Sequence, residues 1–209
     1  MTGDYIYRQP QYRNKERNDM NIFVLDENPI ASAMMIDDNR LPKMVTETAQ
    51  MLASALIRHG ATPESMPLTK AGTPYKGGYH NHPCTVWAGD LLGNFAWLMT
   101  HGLAMAHQYE RLFGRRHACD TAMRHMLTNP AIENMGSDKL TPFARAFDKK
   151  NKSLDELYDE EKYTAVEAYR IYYKTKTDSP KGIKYERVPM PYWFNDEKYI
   201  YGVKYGVGA

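Results

Sequence analysis

The segment spanning residues 41–59 constrains the fold most. Leu41, Met44, Val45, Thr48, Leu52, Ala55 and Leu56 recur at three- and four-residue steps and Gly60 follows. That spacing matches the 3.6-residue turn, so it predicts an amphipathic helix with one stripe turned to a core and a glycine at its end. A neighbouring stripe is polar, with Lys43, Glu47, Gln50 and Ser54. Lys43 and Glu47 stand one turn apart, which predicts an ion pair and places a cation, a carboxylate and an amide along one wall.

Other segments repeat the period. Trp87, Leu91, Phe95, Leu98, Gly102, Met105 and Tyr109 share one face of a helix expected over 85–113, ended by Gly114, with Asn94, Trp97, His101 and Gln108 beside that face. A third helical stretch is expected from Arg115 through Met123 and Leu127, stopped by Asn129 and Pro130. A fourth covers 154–174, with Ser153 as its cap. Asn28 followed by Pro29 reads as the start of a short helix through Met34 and Met35. Asn21-Ile22-Phe23-Val24-Leu25 is a short apolar run, either a brief strand or a buried extended segment. The pattern predicts a mainly α, compact, single-domain fold.

Its organisation reads as a polar tail over 1–19, core helices over 20–127, and a C-terminal helix with an irregular wrap over 128–209. The wrap is rich in tyrosine and tryptophan, from Tyr185 through Trp193 and Tyr199 to Tyr201 and Tyr205. Residues 61–78, rich in Pro, Gly, Thr and Lys, form a loop long enough to act as a lid. No apolar run reaches the roughly 18 to 20 residues of a membrane span, and the polar start lacks the apolar centre of a secretory signal, so cytoplasmic residence is expected. Stripes of methionine and aromatic residues read as core, which predicts a monomer.

Composition excludes several chemistries. Two cysteines, Cys84 and Cys119, in no CxxC spacing, indicate neither a disulfide framework nor a zinc knuckle. There is no GxSxG elbow, no GxxxxGK[ST] loop and no GxGxxG, so acyl transfer, nucleoside triphosphate hydrolysis and dinucleotide redox chemistry lose their usual warrants, and no cofactor is expected. A formal charge of +2 over 209 residues announces no nucleic-acid partner by itself, but Arg111, Arg115 and Arg116 concentrate basic charge at one corner. The turn Tyr79-His80-Asn81-His82-Pro83 crowds two imidazoles and an amide ahead of Trp87, and Pro83 bends the chain at His82. His80 and His82 have no third ligand at a recognisable spacing, so no metal site is expected.

Three stretches carry a resemblance. Met20-Asn21-Ile22-Phe23-Val24-Leu25-Asp26, Asp38-Asn39-Arg40-Leu41-Pro42-Lys43-Met44 and Asn81-His82-Pro83-Cys84-Thr85-Val86-Trp87 resemble a family of tailed-phage proteins over residues 20–125. Weaker echoes lie at Ala168-Tyr169-Arg170-Ile171-Tyr172-Tyr173 and Pro191-Tyr192-Trp193-Phe194. That family is in turn distantly similar to the pyrimidine-dimer DNA glycosylase and AP lyase family of the endonuclease V type. The shared features are a Leu-Pro-Arg/Lys helix start, an Asn-His-Pro turn and an aromatic tail.

The resemblance implies a helical fold that grips bent DNA and rotates a nucleotide out of the stack. It also implies an N-terminal amine that attacks the sugar to form a Schiff base, and a glutamate just before Leu-Pro as acid or base. Here Asn21 is internal and Arg40 precedes Leu41-Pro42, while Lys43 matches the basic residue after the proline. Glu47 is the carboxylate that can take the acid-base role, and Lys43, beside Arg40, is the alternative amine.

The expected function is a phage protein that acts on DNA, at a base or its glycosidic linkage, in the host cytoplasm. Arg40, Lys43, Glu47, His80 and His82 are the expected catalytic residues, Asn81 and Trp193 are expected to touch the nucleic acid, and Arg111, Arg115 and Arg116 its phosphates. Tyr172 and Tyr192 are further candidates for stacking. The alternatives are a non-catalytic DNA-binding accessory protein, or an enzyme on free nucleotides with the 61–78 loop as its lid.

Overall fold

A computed structural model describes residues 20–148 and 150–199. The expected tail, Tyr201 and Tyr205 lie outside the described residues. The described residues form helices and no strand, with one isolated bridge between Leu68 and Pro74 inside the 61–78 loop. None of these helices is long and apolar enough to cross a membrane.

Residues 20–25 are a buried extended segment. Asn21 accepts the amides of Ile22 and Phe23 on its Oδ1, and Ser32 Oγ ties the Leu25 amide to the Phe23 carbonyl. Side chains thus satisfy the main-chain groups that a strand would pair with a neighbour. Helix α1, Pro29–Met34, starts at Asn28, whose Oδ1 accepts from the amides of Ile30 and Ala31.

Helix α2, Leu41–Arg58, lies at the centre. Every residue of its apolar stripe is buried, and so are Ala49, Met51 and Ala53. It packs against α3 (Pro83–Ala88), α4 (Leu92–Phe113) and α5 (Ala118–Met126). Gly102 lets α4 approach α2, because a Cβ there would meet Thr48 Cγ2 at 2.5 Å and Met123 Sδ at 2.9 Å.

The helix expected over 85–113 is broken at Gly89-Asp90-Leu91. Side chains reinforce the carbonyls at the break: Arg58 donates to Val86, Asn94 to Trp87, and His59 bonds Gly89. The stretch expected from Arg115 begins instead at Ala118, because Gly114 at φ +67° ends α4 and His117 caps α5. The helix expected over 154–174 is likewise two pieces, a 3₁₀ turn Lys152–Tyr158 capped by Asn151 rather than Ser153, and α6, Ala165–Lys174, opened by a Thr164/Glu167 capping box. Between them the Arg145 guanidinium collects the carbonyls of Leu157, Asp159 and Tyr163.

After α6 the chain wraps back over α1 and the start of α2. Phe23, Phe147, Tyr169, Tyr172, Tyr173 and Trp193 form a continuous aromatic cluster of edge-to-face, tilted and stacked rings beneath this wrap. Arg170 is 6% exposed within it, donating to the Leu25 carbonyl and lying over the Trp193 and Tyr199 rings.

Candidate active-site cleft

The site is built outward from the turn before α2. Asp37 is fully buried and accepts from Tyr173 Oη, Arg40 Nη1 and the amides of Asn39 and Lys184. Asp38 accepts the consecutive amides of Glu186, Arg187 and Val188. Asn39 donates to the Lys181 carbonyl at 2.7 Å, and Arg40 to that of Gly182 at 2.8 Å. Four successive residues therefore fasten the 181–188 segment to the start of α2. Charge-assisted bonds to Asp37, Asp38 and Arg40 are the stronger class, and the Asp37 carboxylate is also shielded from water.

This fastening leaves a cleft of about 520 Å³ between α2 and the end of α6, lined by Phe23, Asn39, Arg40, Lys43, Met44, Tyr172, Lys176 and residues 179–181. Its floor is apolar and aromatic. Its rim carries four cations, from Arg40, Lys43, Lys176 and Lys181, and no acidic side chain lines it.

Lys43 Nζ lies 3.0 Å from Glu47 Oε1, with the lysine side chain 41% exposed and the glutamate 10% exposed. The amine thus reaches the cleft while its carboxylate partner is set back from water. Such a pair has the parts for amine attack on an electrophilic carbon, with the carboxylate taking the proton. Behind it stands Cys84, whose thiol lies beside Glu47 and the Ile22 main chain; burial pushes it up to about 12, so it is an uncharged packing group rather than a nucleophile.

The stripe of Lys43, Glu47, Gln50 and Ser54 continues from the cleft along α2 to the histidine turn. Ser54 Oγ bonds both the amide and the carbonyl of Gly78, and Gln50 lies under Gly78. At 1.5 Å per residue the turn's seat at Ser54 is about 16 Å from Lys43 along the helix axis. His80 and Asn81 are exposed at the tip, next to Tyr79, which has φ +55° and is 45% exposed. His82 is half-buried and caps α3, its Nδ1 accepting from the Cys84 amide at 3.2 Å. The structure therefore gathers Arg40 and Lys43 in one cleft, with Glu47 behind Lys43, and seats the histidine turn further along the same ridge.

The arginine corner flanks the other side of the α2 start. Arg111, Arg115 and Arg116 are exposed; Arg115 donates to Tyr109 Oη, and Arg116 pairs loosely with Glu110 and Asp120. His117 joins this corner to α2, since its ring hydrogen-bonds the Pro42 carbonyl; burial holds its imidazole below the usual range against the opposing pull of that carbonyl and of Asp120.

Two expectations are corrected. Trp193 is 1% exposed, with its indole N–H directed at Met35 Sδ, so it is a core residue and not a platform for a base. The 61–78 loop docks on the end of α5 through the Ser65 carbonyl, which meets His125 of α5 and Asn129 just beyond it, and on α2 through Ser54, and none of its residues lines the cleft. Tyr172 is 3% exposed and offers the cleft little more than an edge, whereas Tyr192 is 80% exposed. Sequence reasoning missed Lys176 and Lys181, which no period marks; the Thr175–Ser179 turns and Pro180 that present them were the available signal. Among the described residues, no three His, Cys, Asp or Glu side chains are grouped to hold a metal.

Residues 20–121 match the family model for pyrimidine dimer DNA glycosylase. No curated protein and no solved structure matches the chain. The matched stretch contains the α2 wall of the cleft, Glu47, the histidine turn and the arginine corner, while Tyr172, Lys176 and residues 179–181 lie beyond it. Within the match, the position at which the resemblance implies a glutamate holds Arg40, committed to Asp37. Met20 and Asn21 are each 2% exposed and do not line the cleft, and the Asn21 amide is committed to the Ala146 carbonyl.

Proposed function

We propose that this protein acts on DNA at a base or its glycosidic linkage, with Lys43 and Glu47 as the reacting pair. One observation carries the reading: the Lys43–Glu47 pair opens into a cation-rimmed cleft inside the stretch that matches the glycosylase family. In the reaction, Glu47 takes a proton from the Lys43 ammonium and the free amine attacks C1′ of the sugar. The new C1′–N bond forms as the glycosidic bond breaks; the electron pair of that broken bond leaves with the base, which takes the proton now on Glu47. The C1′–O4′ bond then breaks as the nitrogen pair forms C1′=N, a proton passing from the nitrogen through Glu47 to O4′, which leaves an imine on Lys43. Arg40 holds the pocket's shape through Asp37.

Exposed Arg111, Arg115 and Arg116 serve the phosphates on one flank, and His80 and Asn81 meet the strand further along the α2 ridge, with His82 holding the turn that presents them. Borohydride reduction in the presence of abasic or pyrimidine-dimer DNA tests the reading directly. A covalent adduct is expected with the wild-type chain and none with Lys43→Ala. Glu47→Gln should slow adduct formation about 100-fold or more, the usual span of a lost acid-base group. Absence of any adduct from wild type on both substrates removes the mechanism.

A further inference from the structure

The end of α4 gathers guanidiniums from distant parts of the chain. Arg111 belongs to the last turn of α4, Arg115 and Arg116 follow it, and Arg187 comes from the wrap, where Asp38 Oδ2 accepts its amide at 2.9 Å. Two of them are mounted on aromatic rings. Tyr109 and Phe113 are stacked with centroids 4.7 Å apart; Arg187 Cζ lies 4.6 Å from the Phe113 centroid, and Arg115 Cζ 6.0 Å from that of Tyr109, with Nε donating to the Tyr109 hydroxyl. A guanidinium resting on a ring still has N–H groups at its edge, and these can meet two oxygens of a phosphate at once.

The acids nearby are already matched. Glu110 lies 3.8 Å from Arg116, Asp120 lies 3.7 Å from Arg116 and 2.9 Å from Arg124, and Glu186 lies 2.9 Å from Lys184. Arg111, Arg115 and Arg187 are exposed and make no ion pair among the described residues. Two like charges therefore share one stacked ring pair with no carboxylate paired to either, an arrangement that an anion bridging them relieves. None of the three lines the cleft, and all stand at exposed positions, so they suit an extended polyanion lying along the surface rather than a small phosphate enclosed in a pocket.

We infer that Arg187 completes a phosphate-binding ladder with Arg115 and Arg111, and that this ladder takes the sugar–phosphate backbone of DNA. The choice of DNA as the polyanion rests on the reading above; the mounting and charge of the ladder do not, and Arg187 lies outside the stretch that matches the family. His117 bonds the Pro42 carbonyl beside Lys43, and Asp38, two residues before Arg40, holds the Arg187 amide. The same turn thus sets both the ladder and the cleft. Because two of the guanidiniums already rest on rings, less side-chain freedom remains to be lost on binding.

The affinity of the full chain for a short undamaged duplex, measured over a range of salt concentrations, tests the ladder. Wild type is compared with Arg115→Gln/Arg187→Gln and with Lys152→Gln as a distant control, and thermal midpoints verify folding. The double variant is expected to bind about 10-fold more weakly or worse, and its log-affinity against log-salt slope to shrink by about 2, one phosphate contact per arginine. Lys152→Gln should match wild type. Arg111→Gln/Arg187→Gln removes no side-chain hydrogen bond among the described residues, so it should show the same losses and decides the matter if the first variant unfolds. Unchanged affinity and slope in a folded double variant, or no binding of duplex by wild type, overturns the inference. So does polyglutamate bound as tightly as the duplex, which would make this a surface for an acidic protein. Borohydride adducts from wild type alongside a double variant of undiminished affinity would sink the ladder while sparing the DNA reading, and ladder-dependent duplex binding without any adduct would do the reverse.

Discussion

His101 shows how one buried side chain sets a property of the folded protein. It is fully buried, stacked on Trp97 with centroids 5.0 Å apart, with Nδ1 3.2 Å from the Pro29 carbonyl and, among the described residues, no hydrogen-bond partner at Nε2. Burial therefore penalises the imidazolium and pushes its pKa down to about 3. In the unfolded chain the same ring titrates near the ordinary value of about 6.5. Between these values the unfolded state binds the extra proton, so this residue costs nothing above about pH 6.5, and its stability contribution is lost progressively as pH falls towards 3, at up to about 1.4 kcal/mol per pH unit. Between pH 7 and pH 5, urea unfolding should show wild type losing about 2 kcal/mol more than His101→Phe, which keeps a ring in place of the imidazole. Equal losses in both proteins would place the acid sensitivity elsewhere. The period placed His101 beside the apolar face of α4, and only the packing of Trp97 and Pro29 shows its ring sealed.

At the level of elements, helix ends follow from groups borrowed across the fold. Two helices open with the same device, His-x-Cys: His82 Nδ1 accepts from the Cys84 amide and His117 Nδ1 from the Cys119 amide, each at 3.2 Å. The start of α1 and the whole of α2 were legible, because Asn28-Pro29 and the 41–59 stripe encode them locally. The breaks within 85–113 and 154–174 were not, since apolar residues on both sides of each break face the same core and the period runs on through it. What ends those helices is distant in sequence. Asn94 shows this, with its amide bonded to the Trp87 carbonyl and to Thr141 Oγ1, and its carbonyl taking the Thr141 amide. Asn94→Ala should lower stability by about 2 to 3 kcal/mol, because it removes side-chain bonds to two segments at once and leaves the half-buried Thr141 amide without its acceptor. His82→Ala removes a single cap at a half-buried site and should cost about 1 kcal/mol. Chemical denaturation of both variants checks the ranking, and equal costs would contradict the account of the break.

At the scale of the whole molecule, the amino-terminal and carboxy-terminal halves of the cleft are held together by the turn before α2. The sequence marked Asp38-Asn39-Arg40 as part of a resemblance motif, and the structure gives these residues an architectural task that no local pattern encodes: their partners lie some 140 to 150 residues away in the chain. Asp38 is the critical member because its carboxylate alone collects three successive amides of the wrap. Asp38→Ala should therefore release residues 184–188 while leaving α2 and α4 packed through the buried crossing at Thr48, Gly102 and Met123. Hydrogen exchange is expected to quicken at the amides of Glu186, Arg187 and Val188 with little change in α4, since the two regions open as separate units. If the seat of Arg187 depends on that fastening, duplex affinity falls with it even though Asp38 does not line the cleft. Faster exchange with undiminished binding would mean that Phe113 suffices to hold Arg187 in place. Unchanged exchange would mean that the aromatic cluster under Trp193, rather than the carboxylate, anchors the wrap.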